Sequence, residues 1–380
     1  MIESAVCFFD FQQVRFMFGT MFLIMIVLLQ LFTFGLGRSL QWLFAPVVGK
    51  AGRRWLMGVS YFVTNGLLAG LLLELGHFMF RIMAFWMVLL LFVMYAALAT
   101  FILFLLLRKF VAIRSLSRSL RLFAPLFVFG LVGLGMYNAY TPVVRHQTVV
   151  IDKKMDKPLR IGMASDLHLG ILFGARQLDK LVDIMNREKV DLILLPGDLM
   201  DDNVDAYRKE NMQPHLGRLK APLGVYATLG NHDMFGDSAR IRHDLEAAGI
   251  TVLGNQVLQH DAFLLVGRND DLDHERPSVA QLLENHNTDQ PVLLMDHRPT
   301  EVETHATLPI DVQVSGHVHN GQIAPANLIV RTLYRLAYGY EEIGGRHFFV
   351  TSGYGFWGIP LRLGSQSEVW VIDVKGSIVD

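Results

Sequence analysis

Five apolar stretches of this chain each run straight into polar residues of a restricted kind. After LRIGMA (159–164) comes SDLHLG, with Asp166 and His168. After DLILL (191–195) comes PGDLMDD, with Asp198 and Asp201. After GVYAT (224–228) comes LGNHD, with Asn231, His232 and Asp233. After PVLLM (291–295) comes DHRP, with His297, and after IDVQV (310–314) comes SGHVHNG, with His317 and His319. Taken singly, each is an ordinary turn or cap. Five in succession, always where an apolar run ends, form a pattern of another order.

Imidazoles and carboxylates without cysteine suit borderline divalent metals: manganese, iron, zinc, cobalt or nickel. Seven ligands exceed what one tetrahedral ion takes. They fit two ions sharing a bridging carboxylate, roughly 3.5–4 Å apart as in two-metal hydrolases. Such a pair acidifies a shared water and clamps phosphoryl oxygens, so the chemistry is hydrolysis of a phosphate ester or anhydride. If the last stretch continues a strand, His317 and His319 at i and i+2 face one side. The glycines at 197, 230 and 316 are expected to let the backbone turn sharply beneath the ions. Arg268 and Arg298 are weighed as phosphate contacts against ordinary ion pairs, which are the commoner use.

Ligands bind beyond the carboxyl ends of strands in open α/β sheets, so the five apolar runs are expected to be buried strands. Residues 175–188 and 238–248 have helical spacing between them, which makes residues 158–380 an α/β domain of layered sheets. Residues 262–266, 347–351 and 368–374 read as later, antiparallel strands.

The first third is of another kind. Up to Tyr140 there are eleven Lys+Arg and three Asp+Glu; the whole chain holds 34 and 35, which leaves 23 and 32 for the remainder. One part is therefore basic and the other acidic, although the net charge is −1. Residues 16–36, 55–76, 84–107 and 122–140 are each apolar over about the 20 residues a membrane span needs. The domains are accordingly a four-helix transmembrane region (1–141), a linker (142–157) and the α/β domain. No cleavable leader is expected, since a basic start and a small-residue cleavage site are both missing. Loops one and three carry the basic residues, Arg38, Lys50, Arg53 and Arg54 in the first, Arg108, Lys109, Arg114, Arg118 and Arg121 in the third. The positive-inside rule then places both termini outside the cytoplasm. The basic residues around 145–160 pull the other way. Gly66 and Gly70 have the spacing of a helix-packing G-x-x-x-G, or of chance. Cys7 alone excludes an internal disulfide framework and a cysteine zinc site. No basic patch interleaved with aromatics points to nucleic acid.

The ordered set D-x-H, G-D-x-x-D, G-N-H-D, H and G-H-x-H resembles the calcineurin-like metallophosphoesterases over about residues 158–377. LLMDHRPTE, GHVHNGQ and SGYGFWGIPLRLGSQSEVWVI are similar to their membrane-associated bacterial branch, called YkuE-like. The resemblance implies a four-layer α/β/β/α sandwich of two mixed sheets. It implies that Asp166, His168 and His319 hold one divalent ion, that Asn231, His297 and His317 hold a second, and that Asp198 bridges them. It implies a metal-bridging hydroxide as nucleophile, His232 as general acid and Asp201 as the residue that orients His232. Asp233 is left to a supporting hydrogen bond or a loop cap.

These readings combine into a membrane-anchored binuclear phosphoesterase, acting on a phosphorylated small molecule or a lipid-linked cell-envelope substrate. Its catalytic part is expected on the periplasmic face of the inner cell membrane. The alternatives are a cytoplasm-facing pyrophosphohydrolase of the UDP-acylglucosamine type and a non-catalytic metal-binding scaffold. His146, His215, His243, His260, His274, His286, His305 and His347 match no motif.

Overall fold

LILLP and VLLMD contain no polar side chain until the last residue of the second. A strand so apolar must be covered on both faces. The structure, a computed structural model, describes residues 11–377 other than 74, 76 and 202. It places both segments at the centre of six-stranded sheets. The strands are β1 (Val143–Ile151), β2 (Leu159–Met163), β3 (Leu192–Pro196), β4 (Val225–Thr228), β5 (Thr251–Val252) and β6 (Gln256–Gln259). They continue with β7 (Leu264–Arg268), β8 (Val292–Asp296), β9 (Val312–Ser315), β10 (Gly339–Ile343), β11 (Arg346–Val350) and β12 (Glu368–Gly376). One sheet has the order β1-β12-β2-β3-β4-β5, the other β10-β11-β9-β8-β7-β6.

The two-residue alternation of a strand sorts the side chains into layers. Leu192 and Leu194 of β3 join Leu293 and Met295 of β8 in the core between the sheets. Ile193 and Leu195 face out, under Leu178, Leu181, Val182 and Met185 of helix α5 (Ala175–Glu188). Val292 and Leu294 face the opposite outer layer with Val302, Ile310 and Phe348. The result is the expected α/β/β/α sandwich. Truncating a fully buried leucine such as Leu194 to alanine costs about 2–5 kcal/mol in cores of this kind.

The late strands depart from expectation. Each pairs antiparallel on one side and parallel on the other: β7 with β6 and β8, β11 with β10 and β9, β12 with β2 and β1. Residues 142–157, expected to be linker, contain β1, which pairs with β12 from Val143↔Glu368 to Ile151↔Gly376. As an edge strand it alternates exposed and buried residues rather than running apolar, so it lacks the signal of β3 and β8.

The chain divides after Val132. In the first unit, helices α1 (Phe11–Leu43), α2 (Lys50–Leu72), α3 (His77–Leu107) and the first part of α4 (Ile113–Tyr140) are long and apolar enough to cross a membrane. Glu74 and Gly76, at the end of the second expected span, lie outside the described residues, as does Cys7. Thr33 Oγ1 of α1 accepts from the Thr64 hydroxyl of α2 (3.1 Å), which itself accepts from Trp86 Nε1 of α3 (2.9 Å). Polar links of this kind hold helices together where water is absent. Gly66 has no neighbour where a side chain would sit, and Gly70 meets Met79, so the two glycines do not form one packing face. The last turns of α4, from Gly133, belong to the second unit. There Gly135 O accepts from Arg362 N (3.0 Å) and Asn138 O from Ser367 N (2.9 Å).

Candidate metal centre

Every one of the five strand ends delivers its residues to one place. Asp166 and His168 follow β2, Asp198 follows β3, Asn231 and His232 follow β4, His297 follows β8, and His317 and His319 follow β9. Parallel pairing of β2, β3 and β4 in one sheet, and of β8 and β9 in the other, turns these ends the same way.

His317 and His319 are not on a strand. β9 stops at Ser315, and His319 opens a 3-10 turn. Asp166, His168, Asp198, His317 and His319 have φ of 54°, 45°, 53°, 69° and 51°. Non-glycine residues adopt this left-handed region at a cost of about 1–3 kcal/mol each, and such residues gather at functional sites. The two histidines consequently look at different partners: His317 lies against His297 (5.3 Å between ring centres), His319 against His168 (5.1 Å). The glycines at 230 and 316 provide room rather than unusual dihedrals. A Cβ at Gly230 would stand 2.2 Å from Asp198 Oδ1, and one at Gly316 2.2 Å from Asp166 Oδ2.

Ligating atoms converge in three overlapping groups: Asp166, His168 and His319; His168, Asp198 and His232; Asp198, His297 and His317. Asp198 belongs to two of them. His168 Nε2 and His319 Nε2 face each other at 3.1 Å, and His319 Nε2 is 3.4 Å from Asp166 Oδ1. His317 Nδ1 is 2.8 Å from Asn231 Oδ1, a spacing that two ligands of one ion can share.

His297 tests the fit to a cation most sharply. Its Nδ1 donates to Pro196 O (2.8 Å), because a carbonyl only accepts. In the neutral ring the lone pair is then on Nε2, which lies 3.1 Å from Asp198 Oδ2 and has no hydrogen-bond partner. A carboxylate oxygen and an imidazole nitrogen at that distance share either a proton or a cation. The ionisation of the pair says the same. Burial alone would lower His297, but the Asp198 carboxylate overrides it and pushes it up to about 10. Burial alone would raise Asp198, but His297, His168 and His232 hold it well below the usual carboxylate range. His317 is lowered to about 3 by burial and by the charges of His297 and Arg298, so it is a neutral imidazole as a ligand must be. Asp166 is raised to about 6, chiefly by burial. The donor set and its geometry fit divalent metal.

His232 is only partly buried. Its backbone N–H donates to Asp198 Oδ1 (2.8 Å), and its ring lies 4.9 Å from that of His168. Asp201 joins none of the three groups; its backbone N–H donates to Leu169 O (3.2 Å). Asp233 is fully buried and accepts from the N–H groups of Leu199, Met200 and Gly230 at 2.9–3.1 Å. It therefore ties the Asp198 loop to the Asn231 loop, the supporting role expected of it.

Arg268 and Arg298 are engaged by carboxylates. Arg298 makes a two-pronged pair with Asp270 (2.7 and 2.9 Å), and Arg268 pairs with Asp296 and Glu301. Arg276 joins the same cluster, so the gathering of Asp296, Glu301 and His305 is neutralised by two guanidinium groups rather than needing an ion. Among the unmatched histidines, His305 bonds Gln313 (2.8 Å) and His347 lies beside Tyr340 OH (3.0 Å).

Two features had no short-motif signal. Arg362 is fully buried, 43 residues from His319, and its Nη2 is 3.1 Å from His319 Nδ1. Phe235 (63% exposed) and Trp357 (46% exposed) stand beside the His232 ring, at 5.7 and 6.1 Å between centres.

Fold and site together define a metal-dependent phosphoesterase, and known proteins agree. The family model described as calcineurin-like phosphoesterase matches residues 159–321. An uncharacterized metallophosphoesterase of Helicobacter pylori (strain ATCC 700392 / 26695) is 31% identical over 266 residues, covering 67% of this chain and 70% of that protein. The metallophosphoesterase YkuE of Bacillus subtilis is 30% identical over 228 residues, covering 57% and 79%. A transmembrane protein with metallophosphoesterase domain of Danio rerio is 29% identical over 272 residues, covering 66% and 61%. The chain belongs to the calcineurin-like phosphoesterase family and is a metal-dependent hydrolase.

Proposed function

We propose that this chain is a membrane-anchored phosphoesterase that works with two divalent ions, on a lipid-linked or cell-envelope phosphate or pyrophosphate. Asp166, His168 and His319 hold one ion; Asn231, His297 and His317 hold the other; Asp198 bridges them. The observation that carries this is the membership of Asp198 in both the His168 and the His297–His317 groups. When bound, the ions polarise the phosphoryl oxygens and acidify water. The remaining work falls to the chain. His232, partly exposed and tied to Asp198 through its backbone, gives a proton to the leaving oxygen. Asp201, on the loop after β3, orients it.

An apolar substrate is supported by Phe235 and Trp357 beside His232, and by Ile171, three residues past His168 and 75% exposed. The extracytoplasmic side is supported by four spans with the two basic loops on one side.

The purified full chain with Mn²⁺ is expected to hydrolyse aryl phosphate esters, and His232→Ala to retain its metal while losing turnover by about 10²–10⁴-fold. A wild-type protein that binds metal but hydrolyses no such ester would overturn the enzymatic reading. A topology reporter fused to the carboxyl terminus tests the side of the membrane, and a cytoplasmic signal would reverse it.

A further inference from the structure

The first unit contains a cavity of about 680 Å³ between α1, α3 and α4, within the range of small-molecule sites. Its walls are apolar, with Leu36, Val93, Ala124 and Val128 among them. The polar residues that line it are Arg38, Ser39, Thr100 and Ser117. Arg121 adjoins it, donating to Trp42 O (3.0 Å) with its guanidinium 5.4 Å from the centre of the Trp42 ring, and Trp42 is part of the wall.

Thr100 breaks the pattern of this unit. Thr33 and Ser60 turn their hydroxyls back to the carbonyls of Leu29 (2.7 Å) and Leu56 (2.9 Å), the usual arrangement inside a helix. Thr100 is 9% exposed and lines the cavity, and its buried hydroxyl has no hydrogen-bond partner among the described residues. A buried hydroxyl without a partner costs free energy that a polar ligand atom would recover.

The charges point the same way. Between Phe11 and Val132 the sequence has one carboxylate, Glu74, two residues past the end of α2 in sequence and outside the described residues. The cavity is at the other end, among the last turns of α1 and α3 and the first turns of α4. Arg38, Thr100 and Arg121 stand five, seven and eight residues from those helix ends, or about 8–12 Å along the axes at 1.5 Å per residue. Arg38, Thr100 and Arg121 thus stand at similar depths from those helix ends. Basic pockets between membrane helices bind anionic lipid head groups.

We infer that this cavity is a binding site for one anionic glycerophospholipid. An acyl chain lies between α1, α3 and α4, a glycerol ester oxygen accepts from Thr100, and the phosphate meets Arg38 and Arg121. The site does not depend on the phosphoesterase centre.

The test uses the full chain in nanodiscs of phosphatidylcholine with and without phosphatidylglycerol, followed by native mass spectrometry and thermal unfolding. Wild type is expected to retain one phosphatidylglycerol per chain and to unfold at higher temperature in its presence. Arg38→Ala with Arg121→Ala should retain it at least tenfold less well while keeping aryl-phosphate turnover. Thr100→Leu with Ala124→Leu, which removes the hydroxyl and partly fills the cavity, should retain it less well. Equal retention of the two lipids by wild type, or undiminished retention by the filled variant, would overturn the inference. If the filled variant does not fold, the comparison of the two lipids on wild type decides by itself.

Discussion

His297 donates to Pro196 through Nδ1 and turns Nε2 to within 3.1 Å of the Asp198 carboxylate. The backbone carbonyl thus fixes which nitrogen can ligate, and Asp198 stands where the histidines from β8 and β9 meet His168 from β2. Removing the charge at Asp198 should therefore disturb both ligand groups together. Asp198→Asn is expected to lose bound metal from both groups and turnover to background. Elemental analysis of the purified variant checks this, and full occupancy of either group would separate Asp198 from it.

Metal uptake should release protons. His297, at about 10 because Asp198 overrides the effect of burial, is protonated at pH 7 in the metal-free chain and must lose that proton to ligate. Asp166, raised to about 6 mainly by burial, must be ionised as well. Both act in one direction, so affinity for Mn²⁺ climbs as pH rises from about 6 toward 10. The linkage to folding follows. The His297 contribution is present below its ordinary value of 6.5 and is lost as pH rises through about 10. The raised Asp166 costs the metal-free fold stability as pH rises from 3.8 through about 6. Added metal should therefore raise the unfolding temperature more at pH 9 than at pH 6. Calorimetry at pH 7.5 in buffers of different protonation enthalpy should show about one proton or more released per chain; no release would contradict the His297 assignment.

The candidate ligand set stands out in the sequence because each of its residues sits within five residues of an apolar run that becomes a strand, as Asp198 does after β3 and His297 after β8. What escaped was what long-range contacts decide. Arg298 could be a phosphate contact until Asp270, 28 residues earlier, occupies both prongs of its guanidinium. β1 reads as linker because an edge strand alternates polar and apolar residues, and only β12, more than 200 residues later, gives it a partner. The strand rule for His317 and His319 failed because β9 ends two residues before the first of them, and a left-handed backbone then aims each ring separately.

Asp233 holds the two central loops together and belongs to none of the three groups that could hold a metal. Its carboxylate accepts three buried N–H groups, and burial together with the Asp198 charge pushes it up to about 7. Asp233→Ala leaves those groups without an acceptor, at roughly 2–4 kcal/mol. For a domain of this size that lowers the unfolding temperature by about 5–15 °C. Asp233→Asn keeps an acceptor and should lose less. Thermal melts of the metal-free proteins check the order, and equal loss by both variants would show that the charge, not the hydrogen bonds, matters.

Phe235 and Trp357 should distinguish an apolar substrate from a soluble one. Phe235→Ser with Trp357→Ser is expected to leave turnover of a short aryl phosphate within about threefold, since one fully buried side chain is worth about 1.5–3 kcal/mol only when a substrate covers it. Against a phospholipid presented in mixed micelles, kcat/KM should fall by about 10–100-fold. Parallel losses on both substrates would assign these side chains to the shape of the His232 loop instead.

Arg362 should control how His319 is held. Its guanidinium is fully buried with no carboxylate partner and is lowered to about 10 by burial. It donates to Gly355 O (2.5 Å) and Ser365 Oγ (3.2 Å) and packs its Nη2 3.1 Å from His319 Nδ1, while its own backbone is bonded to Gly135 and Asn138 at the end of α4. Through backbone and side chain together, this one residue links the approach to β12, the end of α4 and the His319 imidazole. Groups that orient a ligand histidine change metal affinity by about 10–100-fold when removed. Arg362→Ala should weaken metal retention by that factor in a chelator competition and should lower the unfolding temperature. Arg362→Lys keeps the charge but cannot reach Gly355, Ser365 and His319 together, because an ammonium lacks the planar fork. It should recover stability better than metal retention. If lysine restores both equally, Arg362 acts through its charge alone and not by orienting His319.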